Sequence, residues 1–157
     1  MFILIENMAN YNFKKDLILG NQGEIIIKEF LESKGSKFIG LNNDNKYDLK
    51  MITDNVETTY EIKTDVYCTP TKDTGNMFIE FFCRDKPSGI LTSQATWFIM
   101  YYKYLNEAWF IKTDDLKKLV NENKFKVITN GGDKGSSTNG YLIPRKIFKE
   151  NFIVNKI

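Results

Sequence analysis

Asp48, Glu61 and Lys63, with Glu24 upstream, are the residues whose types and spacing could do chemistry in this chain. Tyr47-Asp48-Leu49 and Glu61-Ile62-Lys63 each lie in a β-prone run, and Asp54-Asn55 between them reads as a hairpin turn. Pairing outward from that turn sets Thr53 opposite Val56 and Asp48 opposite Glu61. Side chains alternate along a strand, so Asp48, Glu61 and Lys63 share one face while Tyr47, Leu49, Met51, Tyr60 and Ile62 share the other. Two carboxylates held side by side destabilise a sheet unless a cation lies between them. Magnesium suits that place, since it takes oxygen ligands and commonly holds one or two carboxylates together with water and substrate phosphate. Lys63 would neutralise charge developing on phosphorus and hold or deprotonate the attacking water, with partial burial and nearby positive charge lowering its pKa. The chemistry predicted is metal-assisted hydrolysis of a phosphodiester. Glu-x-Lys alone is also what an exposed strand with a surface ion pair would show. The order helix Glu, strand Asp, hairpin, strand Glu-x-Lys is what brings the acids together and favours the functional reading.

The elements that must hold these residues follow from periodicity and punctuation. A helix is predicted from Asn12 as its cap, through Leu17, Ile26, Ile27, Phe30 and Leu31, to Gly35 as its stop. Glu24 falls mid-helix, where without further argument it reads as a solvated residue. Gly20 lies one turn earlier on the same side and would let a backbone or a phosphate come close. Strands are expected over 38–41, 47–53, 56–66 and 77–83, then a short helix after Pro87 with Ser88 as cap and Ile90, Leu91 and Ala95 inward. Aromatic-rich strands at 97–102 and 108–112, a helix over 114–123 capped by Thr113 or Asp114, and a strand at 125–129 complete the regular structure. The fold class predicted is an α/β sandwich with a mixed, mainly antiparallel sheet and helices on both faces.

Glu24, Asp48, Glu61 and Lys63 together resemble the active-site signature of the PD-(D/E)xK nuclease superfamily, which includes restriction endonucleases and archaeal-type Holliday-junction resolvases. Tyr47 stands where the signature has proline. The stretch from about Gly20 to Tyr102 carries the likeness. Within it, Gly75-Asn76-Met77-Phe78-Ile79-Glu80 followed by Lys86-Pro87-Ser88-Gly89-Ile90 is similar to a segment of small phage-type members. The resemblance implies a restriction-endonuclease-like α-β-β-β-α-β core over about residues 12–112, extended by further strands and a helix over 113–157. It also implies a Mg²⁺-dependent endonuclease, with Mn²⁺ able to substitute. Asp48, Glu61 and the Ile62 carbonyl would bind the ion, Lys63 would position the attacking water, and Glu24 would complete the outer shell.

The chain has 157 residues, enough for one domain with a proper core, and a net charge of only +2, so affinity for nucleic acid must come from a local basic surface and not from overall charge. It contains no histidine, which excludes serine–histidine and cysteine–histidine catalysis and histidine-bound zinc. Cys68 and Cys83 are too few for a structural zinc site or a disulfide scaffold, so free thiols in a cytoplasmic protein are expected. Glu6 ends the opening apolar run far short of a membrane span.

Glu80, flanked by apolar residues, is either a further acid of the site or the partner of Arg84. Lys86, Ser88, Thr92 and Gln94 could meet phosphate, although capping alone also explains Ser88. The segment Gly131-Gly132-Asp133-Lys134-Gly135-Ser136-Ser137 lacks the spacing of a nucleotide-binding loop and reads as a surface loop. Lys134 in it, with Arg145, Lys146 and Lys149 after it, could clamp phosphates, whereas Lys117, Lys118, Lys124 and Lys126 read as a solvated face. The function expected is DNA cleavage, selective for branched structure because the chain is a minimal core without an evident base-reading domain. A homodimer is expected because two strands cut symmetrically need two sites. An RNase on the same site and an inactive nucleic-acid-binding or inhibitory protein are the alternatives.

Overall fold

The computed structural model describes residues 11–41, 46–131 and 137–157, with only the backbone of 11–21 and 41. Its elements are α1 (Tyr11–Ser33), β1 (Lys37–Leu41), β2 (Leu49–Thr53), β3 (Val56–Asp65), β4 (Asn76–Cys83) and β5 (Lys86–Pro87). A 3₁₀ turn (Gly89–Leu91), β6 (Trp97–Tyr102), β7 (Glu107–Lys112), α2 (Thr113–Glu122), β8 (Lys126–Gly131) and β9 (Thr138–Pro144) follow. The chain ends in α3 (Arg145–Phe148), a second 3₁₀ turn (Lys149–Asn151) and β10 (Ile153–Lys156).

Gly35 stops α1 as expected. At φ +99 it adopts the left-handed conformation, with its N–H on the Glu32 carbonyl and the Ser36 N–H on the Leu31 carbonyl, which together satisfy the last turn. Among the described residues, neither α1 nor any other helix is long and apolar enough to cross a membrane.

Six strands form one sheet in the order β1-β2-β3-β6-β7-β10. All its neighbours are antiparallel except β3 and β6, which run parallel with Glu61 beside Phe98 and Lys63 beside Met100. β6 reads Trp-Phe-Ile-Met-Tyr-Tyr, a continuous apolar run suited to a central strand covered on both faces. On one face α1 contributes Ile27 and Leu31 to a core with Leu49, Met51, Tyr60, Ile62 and Ile99. On the other, Phe98, Met100, Tyr102, Trp109 and Ile111 pack with Leu116 and Leu119 of α2 and with Met77, Ile79 and Ile143. Each such side chain taken from water contributes about 1.5–3 kcal/mol, which makes the two cores the main support of the site between them.

The α/β class with a mixed sheet and helices on both faces is therefore seen, but the single sheet is not. β4 leaves the main sheet and joins a second one, ordered β5-β4-β9-β8. Its alternation explains this: Met77 and Ile79 are fully buried while Asn76, Phe78 and Glu80 are only partly covered, the pattern of a sheet with one covered face. The expected short helix is only the 3₁₀ turn, with Ile90 buried and Leu91 52 % exposed rather than inward. Regular structure also continues past 129 through β9, α3 and β10. Gly140 concealed β9, since glycine is a poor strand former, yet here the Phe78 ring fills the space a side chain would take.

Candidate active site

The hairpin that carries the two sequence strings forms in the expected register. Asp54 and Asn55 turn with φ of 49° and 65°, a left-handed pair that Asp and Asn tolerate, and Thr53 faces Val56 while Leu49 faces Tyr60. The Asp48 N–H donates to the Tyr60 carbonyl at 2.9 Å, so Asp48 and Leu49 both face Tyr60 where the ladder ends, and the expected direct pairing of Asp48 with Glu61 is replaced by a bulge-like step that still leaves the Asp48 charge acting on Glu61. The Ile62 N–H in turn donates to Asp48 Oδ2 at 2.7 Å, fixing that carboxylate. Residues two apart on a strand direct their carbonyls to the same edge, so the Ile62 carbonyl faces past the start of β2 beside Asp48.

Glu61 is only 8 % exposed, and its Oε1 lies 2.8 Å from the Lys63 ammonium. Burial, with Asp48 beside it, pushes the Glu61 carboxyl above the ordinary range against the pull of Lys63. Glu24 reaches the same cluster from α1. Burial first, then the Asp48 charge and a smaller contribution from Glu61, push its pKa up to about 7, against the opposing attraction of Lys63. Lys63 departs from expectation: burial works against its charge, but Glu61, Asp48 and Glu80 outweigh it and hold the ammonium above the ordinary lysine range. Lys63 is a charged donor here, and the group able to exchange a proton near neutrality is Glu24.

The glycine that lets α1 approach is Gly23. A methyl there would collide with the Thr64 hydroxyl and come within 3.2 Å of its Cβ, so the helix crosses β3 beside Lys63 and delivers Glu24 one residue later. Gly20 lies in the part of α1 described by backbone alone. Gly23 could have been read from its place next to Glu24, but its contact needs the tertiary fold.

The segment 88–94 closes another side. Gly89 has φ +51, and a side chain there would strike the Glu80 carbonyl and sit 3.1 Å from the Glu80 Cβ. At the far end the Gln94 N–H donates to the Lys46 carbonyl at 2.9 Å, tying the segment to the backbone that leads into Asp48. Ser88 does not cap: its Oγ makes no cap hydrogen bond and is buried without a protein partner. Glu80 enters the field of Glu61 and Lys63 and makes no ion pair with Arg84, which lies exposed in the β4–β5 turn. Lys86 and Gln94 are exposed, and Lys134 falls outside the described residues. Arg145 is not a phosphate clamp. It is 6 % exposed, paired with Asp73 and stacked 4.4 Å from the centre of the Tyr102 ring.

Comparison with protein-family models, curated proteins and solved structures finds no match. The chemistry of the cluster is read from its own geometry. The donors it offers are hard oxygens, and among the described residues no three acid or thiol side chains converge as a closed metal cage. An open set of two carboxylates and a carbonyl fits magnesium, which keeps water and substrate oxygens in its remaining positions.

Proposed function

We propose that this chain is a magnesium-dependent endonuclease that hydrolyses DNA phosphodiesters, with Mn²⁺ able to replace Mg²⁺. The observation that carries the reading is the gathering of Glu24, Asp48 and Glu80 around the buried Glu61 and a single ammonium, Lys63, with the Asp48 carboxylate held on the Ile62 N–H. Asp48, Glu61 and the Ile62 carbonyl would hold the ion, with Glu24 in its outer shell. Bound there, magnesium supplies a Lewis acid for the phosphoryl oxygens and for water. Lys63, charged and partly exposed, presents its ammonium to the phosphoryl oxygens and offsets the negative charge that grows as water adds to phosphorus. Glu24 takes the proton the water gives up, the bond from phosphorus to the 3′ oxygen breaks, and that oxygen is protonated from solvent. Ser88 and Gln94 lie on the segment between Glu80 and Asp48, where a substrate strand would pass. Branched DNA is the preferred substrate, and two copies of the chain would cut its two strands.

The test is to incubate wild type and Lys63→Ala with a labelled four-way junction, linear duplex, single-stranded DNA and RNA, each with Mg²⁺, Mn²⁺ or EDTA. Metal-dependent cleavage by wild type alone, fastest on the junction, is the expected result. A preference for RNA would reassign the substrate, and binding without cleavage of any substrate would overturn the enzyme in favour of a binding protein.

A further inference from the structure

A second feature lies on the outer face of the smaller sheet, away from the acidic cluster. A pocket of about 440 Å³ opens there, walled by Asn76, Asn123, Lys124, Phe125, Lys126 and Phe148 among others, with no acidic residue in its lining. Phe125 and Phe148 meet edge to face with ring centres 5.0 Å apart. Lys124 and Lys126 are exposed, and neither has an ion-pair partner among the described residues. A concave site that combines aromatic rings, side-chain amides and unpaired lysines has the chemistry of a nucleotide: phosphate for the ammonium groups, a base for the rings and amides.

Strand register ties the pocket to the cleavage site. Lys126 pairs with Leu142, and Leu142 with Phe78, so these three form one row across the outer face. Asn76 and Pro144 make the next row towards the pocket, and Glu80 with Gly140 the next row towards Glu61 and Lys63. The β4 bulge falls only after Glu80, so Asn76, Phe78 and Glu80 keep one face. Four residues of strand separate Asn76 from Glu80, a path of about 13 Å. Along that path the Phe78 ring lies over Gly140, an aromatic surface between the pocket and Glu80.

We infer that this face is a track for single-stranded nucleic acid, which seats a phosphate between Lys124 and Lys126 and a base against Phe125 and Phe148. The pocket stands on its own observations, while the continuity of the track to the scissile bond rests on the nuclease reading. The substrate it implies carries a single-stranded arm beside the duplex or branch that is cut.

The test compares wild type, Lys124→Glu/Lys126→Glu and Lys118→Glu by fluorescence anisotropy with labelled single-stranded DNA and RNA in EDTA over a range of salt, after melting curves confirm that all three are folded. Expected is at least tenfold weaker binding by the double-lysine variant and a loss of about 0.7 from its log–log salt slope, the one phosphate seated between the two lysines on a single strand. Lys118→Glu, an exposed lysine of α2 outside the pocket lining, should bind as wild type does. An oligonucleotide with abasic sites should bind less well than its parent, and hydrogen exchange should show protection at residues 123–126 in the complex. Unchanged affinity and salt slope in the double-lysine variant would overturn the track, and equal binding of the abasic strand would overturn the seated base. Cleavage of junctions unaffected by the double substitution, with no strand binding at the pocket, would sink the track and leave the nuclease standing. Strand binding at the pocket with no cleavage by any form would do the reverse.

Discussion

Around Arg145 one buried cation pairs with Asp73, acts on Glu107 and meets two aromatic rings; around Lys63 one cation pairs with Glu61 in the field of Asp48 and Glu80, with Glu24 beside them. The first cluster pairs its charge, while Arg145 Nε and the Tyr102 hydroxyl are buried without a protein hydrogen-bond partner. Asp73 pairs with the guanidinium and also accepts the Gly75 N–H at 2.9 Å, and the Tyr102 and Trp109 rings cover the remaining face of Arg145. Burial opposes the Asp73 charge, yet Gly75 and Arg145 hold its carboxyl below the ordinary range. The second cluster is left with surplus negative charge, and both Glu24 and Glu61 are held above their ordinary range. A cluster with surplus negative charge is what the proposed magnesium site requires, since a bound cation would offset the repulsion among its carboxylates.

The sharpest way to break this contrast is to neutralise an acid of the open cluster. Glu61→Gln should cut DNA cleavage by at least about 10³-fold, the order lost when a transition-state charge contact is removed. The metal-free protein should melt no lower than wild type, because one source of repulsion is gone. Lys63→Ala should lose comparable activity but also melt lower without metal, since its removal leaves the acids unopposed. Cleavage assays beside melting curves in EDTA check both signs, and substantial activity in Glu61→Gln would remove the metal-ligand role.

Next in size is the Arg145 cluster. Asp73→Ala leaves Arg145 buried without its carboxylate and should cost about 3 kcal/mol, at the low end for a broken buried pair because Asp73 is partly exposed. For a domain of this length that is a fall of roughly 10 °C in melting temperature. The folded variant should still cleave within about twofold of wild type. A large loss of cleavage at full occupancy of the folded state would show that the two clusters communicate, against the separation drawn here.

These clusters were not equally legible from sequence. Asp48, Glu61 and Lys63 lie within one hairpin, whose turn residues fix the register from Thr53–Val56 to Leu49–Tyr60 and so carry the nearness of both acids, though not the irregular step at Asp48, into the sequence itself. Arg145 and Asp73 are 72 residues apart, and nothing local marks either as buried. The expected lowering of the Lys63 pKa fails although Glu61 and Asp48, both legible in the hairpin, favour its charge, and the added field of Glu80 comes from another sheet and depends on how the layers close. The division into two sheets was hidden for the same cause, since the partner of β4 lies beyond β7, α2 and β8 in the chain. Asn76, Lys126 and Phe148 likewise meet only through long-range pairing, which made Lys124 and Lys126 look like part of a plain solvated face.

The pH dependence of stability sharpens the comparison further, because the two clusters slope in opposite directions. Glu24 has a folded pKa of about 7 against an ordinary 4.5. Between these values the folded chain keeps a proton that the unfolded chain has released, so stability is full below about 4.5 and is lost as pH rises towards 7. Asp73, held below its ordinary 3.8, stabilises above that value and loses its contribution as pH falls through its lowered pKa. Melting curves in EDTA should therefore fall by several degrees between pH 5 and 7 for wild type and flatten for Glu24→Gln. Adding Mg²⁺ at pH 7 should restore the lost stability to wild type but not to Glu61→Gln. A profile that rises from pH 5 to 7 without metal would mean that the acids are not in conflict.

The smallest effect comes from a pair of the same chemical types placed in water. Lys118 and Glu122 lie 3.8 Å apart on α2, one turn from each other, with side chains 70 % and 61 % exposed. Lysine precedes glutamate, the weaker orientation with respect to the helix dipole. Solvent screens such a pair, so Glu122→Gln should change stability by less than about 0.5 kcal/mol, read by chemical denaturation against wild type. Glu61, Asp73 and Glu122 each pair with a cation in this molecule, so the pairing itself cannot explain different outcomes. If Glu122→Gln cost as much as Asp73→Ala, burial would not be what separates the clusters, and the surplus of acid at Lys63 would lose its meaning as a site.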